Sequence, residues 1–296
     1  NPLSHSLAMA HYAFDHGITH FDLANNYGPS YGSAEETFGF IMKKSFNLIA
    51  TNCLCRPRPV TTCGPVYGNW GSRKSLMASL DQSLARMGLD YVDVFYSHRY
   101  DPETPLEETM QALVDIVRQG KALYVGLSRY PADKAEEAYR YLEARDVHCL
   151  LYQGRYNLFD RAPEEEGILG QARAYGVGFI AFSPLAQGLL TSRYLQGVPE
   201  DSRMAQGRFL KREVLTEAVL EKIKALDRVA AGAGADVGPK CPLAWVLKDE
   251  LVTSVIIGAS SVAQLEDNLK ALRKVDFSRE ELERIEAICH TPDGGQ

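Results

Sequence analysis

No apolar run in this 296-residue chain approaches the roughly 20 residues that a membrane span needs. Residues 1–17 carry neither a basic n-region nor an apolar h-region, so no secretory signal and no membrane insertion are expected. Cysteine is sparse: the six residues stand at 53, 55, 63, 149, 241 and 289, and no second pair sits at zinc spacing. That pattern reads as reduced thiols in a cytoplasmic protein without a metal site. Positive charge is not in excess, since 32 Lys and Arg against 38 Asp and Glu leave a formal charge of -6. Nucleic acid and anionic membrane surfaces are therefore not expected partners. Neither GxGxxG nor GxxxxGK[ST] occurs, which removes the phosphate loop that a doubly wound dinucleotide fold requires. Ser97 stands in FYSHR and not in a GxSxG elbow, so Ser97, His98 and Asp22 do not read as a hydrolase triad.

What is present is alternation. Apolar residues at helical spacing mark helices at 6–16, 33–44, 73–87, 106–119, 132–145, 164–175, 216–231, 242–248, 262–272 and 278–289. Leu76, Leu80, Leu84 and Met87 give the third of these a continuous apolar face, and Ser33 is the expected N-cap of the second. Between the helices, short β-branched runs mark strands at 18–21, 47–51, 91–96, 122–127, 147–153, 178–182 and 253–257. A Pro-, Gly- and Cys-rich loop is expected at 53–71, and a long Gly- and Arg-rich insertion at about 186–211. Strands alternating with helices imply a parallel sheet with crossover connections. No composition shift marks a boundary, so residues 1–296 read as a single domain. The expected fold is an α/β (β/α)8 TIM barrel whose first strand precedes Asn1 or is missing.

Active sites of such barrels lie at the C-terminal ends of the strands. The stretch ITHFDLANNY begins as an apolar run and turns polar at Asp22, with Tyr27 just beyond. The corresponding residues of the later strands are Asn52, His98, Ser128, Arg129, Gln153, Ser183, Gly258 and Ser260. A phenol can donate a proton where its surroundings lower its pKa from about 10. A tyrosine beside a histidine suits carbonyl reduction: the phenol protonates the alkoxide that hydride addition creates.

HFDLANNYG, YVDVFYSHR, GKALYVGLSRY, AFSPLAQGLLTSRY and SVIIGASSVAQLEDN resemble, in order, the signatures of the aldo-keto reductase superfamily. The resemblance runs from about residue 7 to 289. Within the superfamily, NNYGP, GSAEE, SRKSLMASLDQSL and PEDSRM resemble the bacterial glyceraldehyde-3-phosphate reductase branch, which is itself similar to β-subunits of voltage-gated potassium channels. The resemblance implies a (β/α)8 barrel, NADPH/NADP+ as cofactor without a Rossmann motif, and a small carbonyl compound as substrate. It also implies reduction of aldehydes, small phosphorylated ones such as glyceraldehyde 3-phosphate among them, and assembly as a homo-oligomer. The second reading is an NADP-binding regulatory or channel-associated subunit with slow or no turnover.

The implied catalytic tetrad is Asp, Tyr, Lys and His. Asp22, Tyr27 and His98 match three of them. The lysine should end the second visible strand, where the chain reads Ile49-Ala50-Thr51-Asn52. A cation about 4 Å from the phenol at an effective ε of about 20 is worth up to about 4 kcal/mol, or roughly three pKa units. Asn52 cannot supply that charge, so the expectation is weak chemistry with cofactor binding spared. By resemblance, Ser128, Arg129 and Gln153 meet the nicotinamide end, and Phe182 packs on its ring. Ser183, Pro184, Leu185, Gln187 and Leu189 cover the pyrophosphate. Arg193 and Arg203 match the basic positions that favour a 2′-phosphate, hence NADPH over NADH. Gly258 and Ser260 open a helix whose N–H groups suit an anion, with Gln264, Asp267 and Asn268 on its first turns.

Overall fold

The computed structural model describes residues 3–46, 58–62, 70–191, 214–232, 241–273 and 275–290. The strands are β1 (His20–Ala24), β2 (Arg58–Thr62), β3 (Val92–Ser97), β4 (Ala122–Ser128), β5 (Cys149–Arg155), β6 (Gly178–Phe182) and β7 (Val252–Val255). Their order in the sheet is their order in the chain. The helices are α1 (Leu3–Asp15), α2 (Ser33–Ile41), α3 (Arg73–Met87), α4 (Leu106–Arg118), α5 (Ala132–Glu143), α6 (Ala162–Glu165) and α7 (Ile168–Ala174). They continue as α8 (Glu217–Gly232), α9 (Cys241–Leu247), α10 (Val262–Leu269) and α11 (Arg279–Cys289). Among the described residues no helix is long and apolar enough to cross a membrane.

Two compact units emerge, one of Asn1–Gly154 and Glu166–Phe179, the other of Arg155–Glu165 and Ile180–Gln296. In the first, β1 to β5 pair in parallel, and Asp22 stands opposite Val60, Thr62 opposite Tyr96, Tyr96 opposite Gly126, and Ser128 opposite Gln153. No strand lies on the other side of β1 among the described residues. The interior is filled by large rings against small neighbours. A Cβ on Gly126 would meet the Tyr96 ring at 2.3 Å, and Tyr152 stacks on Phe179 with ring centroids 5.9 Å apart. Helix α3 buries Leu76, Leu80, Leu84 and Met87, the face its spacing predicts. Ser72 caps it by accepting from the Ser75 N–H.

In the second unit the core is built on Trp245 of α9, which is fully buried and packs on Tyr156. Arg161 lies over the indole at 4.7 Å and bridges Glu164 at 2.7 Å and Glu286 at 2.6 Å. This ties α6 and α11 to α9. Ser278 and Glu281 form a capping box at the start of α11.

Three local expectations change. The strand expected at 47–51 lies outside the described residues, and β2 instead occupies Arg58–Thr62, inside the segment read as loop. Val60, Thr61 and Thr62 form a β-branched run, which suits a pleated strand. Helix α2 ends at Ile41 and passes into a π-helical turn, Met42–Phe46. Its N-cap is Gly32 in the left-handed region, not Ser33, whose hydroxyl instead donates to the Ser30 carbonyl at 2.8 Å.

Candidate active site

Asp22, Tyr27, His98, Ser128, Arg129 and Gln153 all belong to the first unit. Asp22 lies within β1 rather than past its end, because the strand runs on through the buried Leu23 and Ala24. Tyr27 follows on the loop, with its N–H held by the Ala24 carbonyl at 3.0 Å and its carbonyl by the Ala34 N–H at 3.2 Å. His98 and Arg129 directly follow β3 and β4, and Gln153 lies near the end of β5.

Gln153 Nε2 donates to Asp22 Oδ1 at 3.3 Å. Three strands separate β1 from β5 in the sheet, so this contact requires the sheet to curl and bring its inner faces together. The hydrogen bond commits one of the two Gln153 amide hydrogens to the carboxylate.

The electrostatics follow from burial. Asp22 is pushed up to about 6 by burial, against the hydrogen bond from Gln153. Tyr27 keeps 46% of its surface exposed. Desolvation of the phenol end and then the Asp22 charge push it up to about 12, and the Arg129 charge offsets part of that rise. Burial, then Arg129 and Arg99, hold His98 down at about 4. At neutral pH the site therefore presents a neutral imidazole and a neutral phenol beside a destabilised carboxylate.

Tyr130, which sequence reasoning missed, shapes the Arg129 turn. Its hydroxyl bonds the Ser97 hydroxyl at 2.8 Å, and its carbonyl accepts from the Tyr152 hydroxyl at 2.7 Å. The preceding residue, Arg129, adopts φ 53, in the left-handed region. Non-glycine residues are rarely found there outside special sites. The only sequence signal was an aromatic one residue past a polar strand end.

Asp22 also carries a stability prediction. Its folded pKa of about 6 lies above the ordinary unfolded value, about 3.9. Below the unfolded value the acid is protonated in both states and costs nothing. As pH rises from about 4 to about 6 the unfolded chain ionises while the folded acid stays protonated, so stability falls over that window by at most about 3 kcal/mol and stays lowered above it. Asp22→Asn keeps an acceptor for Gln153 and removes the charge. Its melting temperature should exceed that of the parent by several degrees at pH 8, and calorimetry should find the difference gone by pH 4.

The second unit contains Phe182, Ser183, Pro184, Leu185, Gln187, Leu189, Gly258, Ser260, Gln264, Asp267 and Asn268. The chain after β6 is contorted: Ser183, Ala186 and Gln187 adopt φ of 53, 47 and 62. The Ser183 carbonyl accepts from Asn157 Nδ2 at 3.1 Å. Pro184 and Leu189 are buried, the latter with 4% exposure. The Gln187 Oε1 is buried without a hydrogen-bond partner among the described residues. Three left-handed residues and one orphaned acceptor in a single loop are what a polar ligand group would repay.

At the other end of this unit the expectation needs correction. The helix begins at Val262, not at Gly258, and its N-cap is Ser261, which accepts from the Gln264 N–H. The Ser260 N–H and hydroxyl both donate to Gln264 Oε1, at 2.8 and 3.1 Å. The Ser260 N–H is therefore taken up by the Gln264 side chain and the Gln264 N–H by the Ser261 hydroxyl. Asn52, Arg193 and Arg203 lie outside the described residues.

A model of the Aldo/keto reductase family matches residues 1–290. The chain is 48% identical over 299 residues to the L-glyceraldehyde 3-phosphate reductase of Escherichia coli O157:H7, covering 99% of this chain and 86% of that protein. The protein of the same name from Escherichia coli (strain K12) is 47% identical over the same span. A probable voltage-gated potassium channel subunit beta of Oryza sativa subsp. japonica is 34% identical over 287 residues, covering 94% of this chain and 85% of that protein.

Proposed function

Because the chain belongs to the aldo/keto reductase family, we propose that it reduces small aldehydes to alcohols with NADPH, phosphorylated substrates such as glyceraldehyde 3-phosphate among them. The family is one of oxidoreductases folded as (β/α)8 barrels, one strand more than the seven described. The observation that supports the reading is that, within one unit, Tyr27 feels the charges of Asp22 and Arg129, His98 feels the same Arg129, and Gln153 bonds the Asp22 carboxylate.

In this reading the substrate carbonyl oxygen accepts hydrogen bonds from the neutral His98 imidazole and the Tyr27 hydroxyl. As charge develops on that oxygen, Tyr27 gives up its proton. Arg129, whose charge opposes the rise of the phenol, steadies the phenolate left behind. NADPH supplies the hydride. In the first unit, Ser128 and Gln153 are proposed to meet the carboxamide. In the second, Phe182 is proposed to face the ring, Gln187 to offer its orphaned acceptor to a polar group of the cofactor, and Ser183, Pro184, Leu185 and Leu189 to shape that loop. Arg193 and Arg203 are proposed to read the 2′-phosphate, and Gly258, Ser260, Asp267 and Asn268 the adenosine side.

Loss of NADPH absorbance with glyceraldehyde 3-phosphate and other short aldehydes tests the activity. Quenching of protein fluorescence tests the cofactor: NADPH should bind at least about tenfold more tightly than NADH, a difference of about 1.4 kcal/mol. Equal affinities would remove the role given to Arg193 and Arg203. The raised phenol of Tyr27 favours a slow turnover. NADPH binding with no turnover on any aldehyde would move the protein to the second reading, an NADP-binding regulatory subunit.

A further inference from the structure

The segment that carries Tyr27 is fastened to α3 on both sides of the tyrosine. On the N-terminal side, Asn25 is buried and its Nδ2 donates to Ser79 Oγ of α3 at 3.0 Å. On the C-terminal side, Glu35 is fully buried and its Oε2 accepts from Arg86 Nε of α3 at 2.6 Å. Arg86 Nη2 also reaches Ser83 Oγ at 3.3 Å. Between the anchors the backbone makes room for the arginine. Gly32 adopts φ 84, and a Cβ there would stand 2.5 Å from Arg86 Cδ. Further along, a Cβ on Gly39 would meet the Met87 carbonyl oxygen at 2.4 Å, so α2 lies directly against the end of α3.

An ion pair with one partner wholly buried is a poor way to gain stability, because desolvation offsets most of the Coulombic attraction. A directional guanidinium–carboxylate contact is a good way to fix geometry. The phenol must meet a carbonyl oxygen within hydrogen-bond distance, and small misplacements of a reacting group are costly in rate.

Resting on the proposed role of Tyr27, we infer that Arg86 is a positioning residue for the reaction, which with Glu35 clamps residues 25–35 on α3 and so sets where the Tyr27 hydroxyl stands. Neither residue touches substrate. Their effect passes through the backbone, from Glu35 to the Ala34 N–H and on to the Tyr27 carbonyl it holds at 3.2 Å.

The test is a cycle of variants in the full chain. Arg86→Met alone would strand a buried carboxylate and could unfold the protein, so the pair is neutralised together as Glu35→Gln/Arg86→Met, with Arg86→Lys as the conservative variant. The double variant should lose on the order of 10- to 100-fold in kcat with glyceraldehyde 3-phosphate, bind NADPH as the parent does, and recover part of the loss in Arg86→Lys. In a Tyr27→Phe background the same double change should cost nothing further. An equal loss in both backgrounds, or no loss in either, overturns the inference. Full activity of Tyr27→Phe itself would overturn the proposed function instead. Hydrogen exchange supplies a readout independent of turnover. The Tyr27 and Ala34 amides should exchange faster in the double variant while those of β3 to β5 keep their protection, and unchanged exchange at Tyr27 and Ala34 also overturns the inference.

Discussion

A lysine supplied at the end of β2, as Thr62→Lys, is expected to raise aldehyde turnover on the order of 100-fold while leaving NADPH affinity unchanged. The chain places Asp22, which accepts a hydrogen bond from the neutral Gln153 amide, beside a phenol pushed up to about 12. Both shifts have the direction expected where a buried carboxylate stands beside a partly desolvated phenol with no strong cation between them among the described residues. Arg129 opposes the phenol's rise without cancelling it. A cation about 4 Å from the phenol would be worth up to about 4 kcal/mol at an effective ε of about 20, and part of that would appear as rate. The register selects the position. Asp22 pairs with Val60 and Ala24 with Thr62, so the end of β2 lies level with the stretch between Asp22 and Tyr27. The family resemblance instead points to Asn52, which precedes β2 and lies outside the described residues. Asn52→Lys is therefore the second arm of the same assay. A rise from Asn52→Lys alone would transfer the role to that position, and a rise from neither would remove the missing cation as the cause of slow chemistry.

That second strand marks where sequence reasoning met its limit. β6 coincides residue for residue with the expected run, and β3, β4 and β5 lie within two residues of theirs, because each is a β-branched or aromatic run closed by a polar residue, and β3 and β4 lead into the amphipathic helices α4 and α5. Around β2 two short β-branched runs compete, Ile49-Ala50-Thr51 and Val60-Thr61-Thr62, and a local pattern carries no information about which one pairs with Phe21 and Leu23. Asp22, Tyr27 and His98 could be proposed from sequence because strand ends in a barrel share one rim. The contact from Gln153 to Asp22 was not, since it joins residues 131 apart in the chain. The Arg86–Glu35 anchor was hidden for the same reason, being 51 apart and on two helices that each look ordinary. At the start of α10 the reading failed locally. Three serine- and glycine-rich positions offered several N-caps, and the side chain of Gln264 decided among them by folding back on Ser260.

Removing the phenol should be the most damaging single change. Tyr27→Phe is expected to lower kcat on the order of 10²- to 10⁴-fold, the range of a lost general acid, with NADPH binding and fold intact. The side chain is 46% exposed, so the loss of its hydroxyl leaves no buried group stranded. The pH profile separates this role from a structural one. His98 titrates near 4 and Tyr27 near 12, which leaves Asp22, near 6, as the site group that changes charge around neutrality. Above pH 6 the ionised Asp22 raises the phenol and weakens it as an acid. Below pH 6 the carboxyl is neutral, the phenol's pKa falls and proton donation becomes easier. The parent should therefore reduce aldehydes faster as pH drops from 8 to 5, with an inflection near 6. In Tyr27→Phe that inflection should vanish, because the group through which Asp22 acts is gone. An inflection that persists in Tyr27→Phe would mean that the carboxylate acts on the reaction by another path, and Tyr27 would lose its place as proton donor.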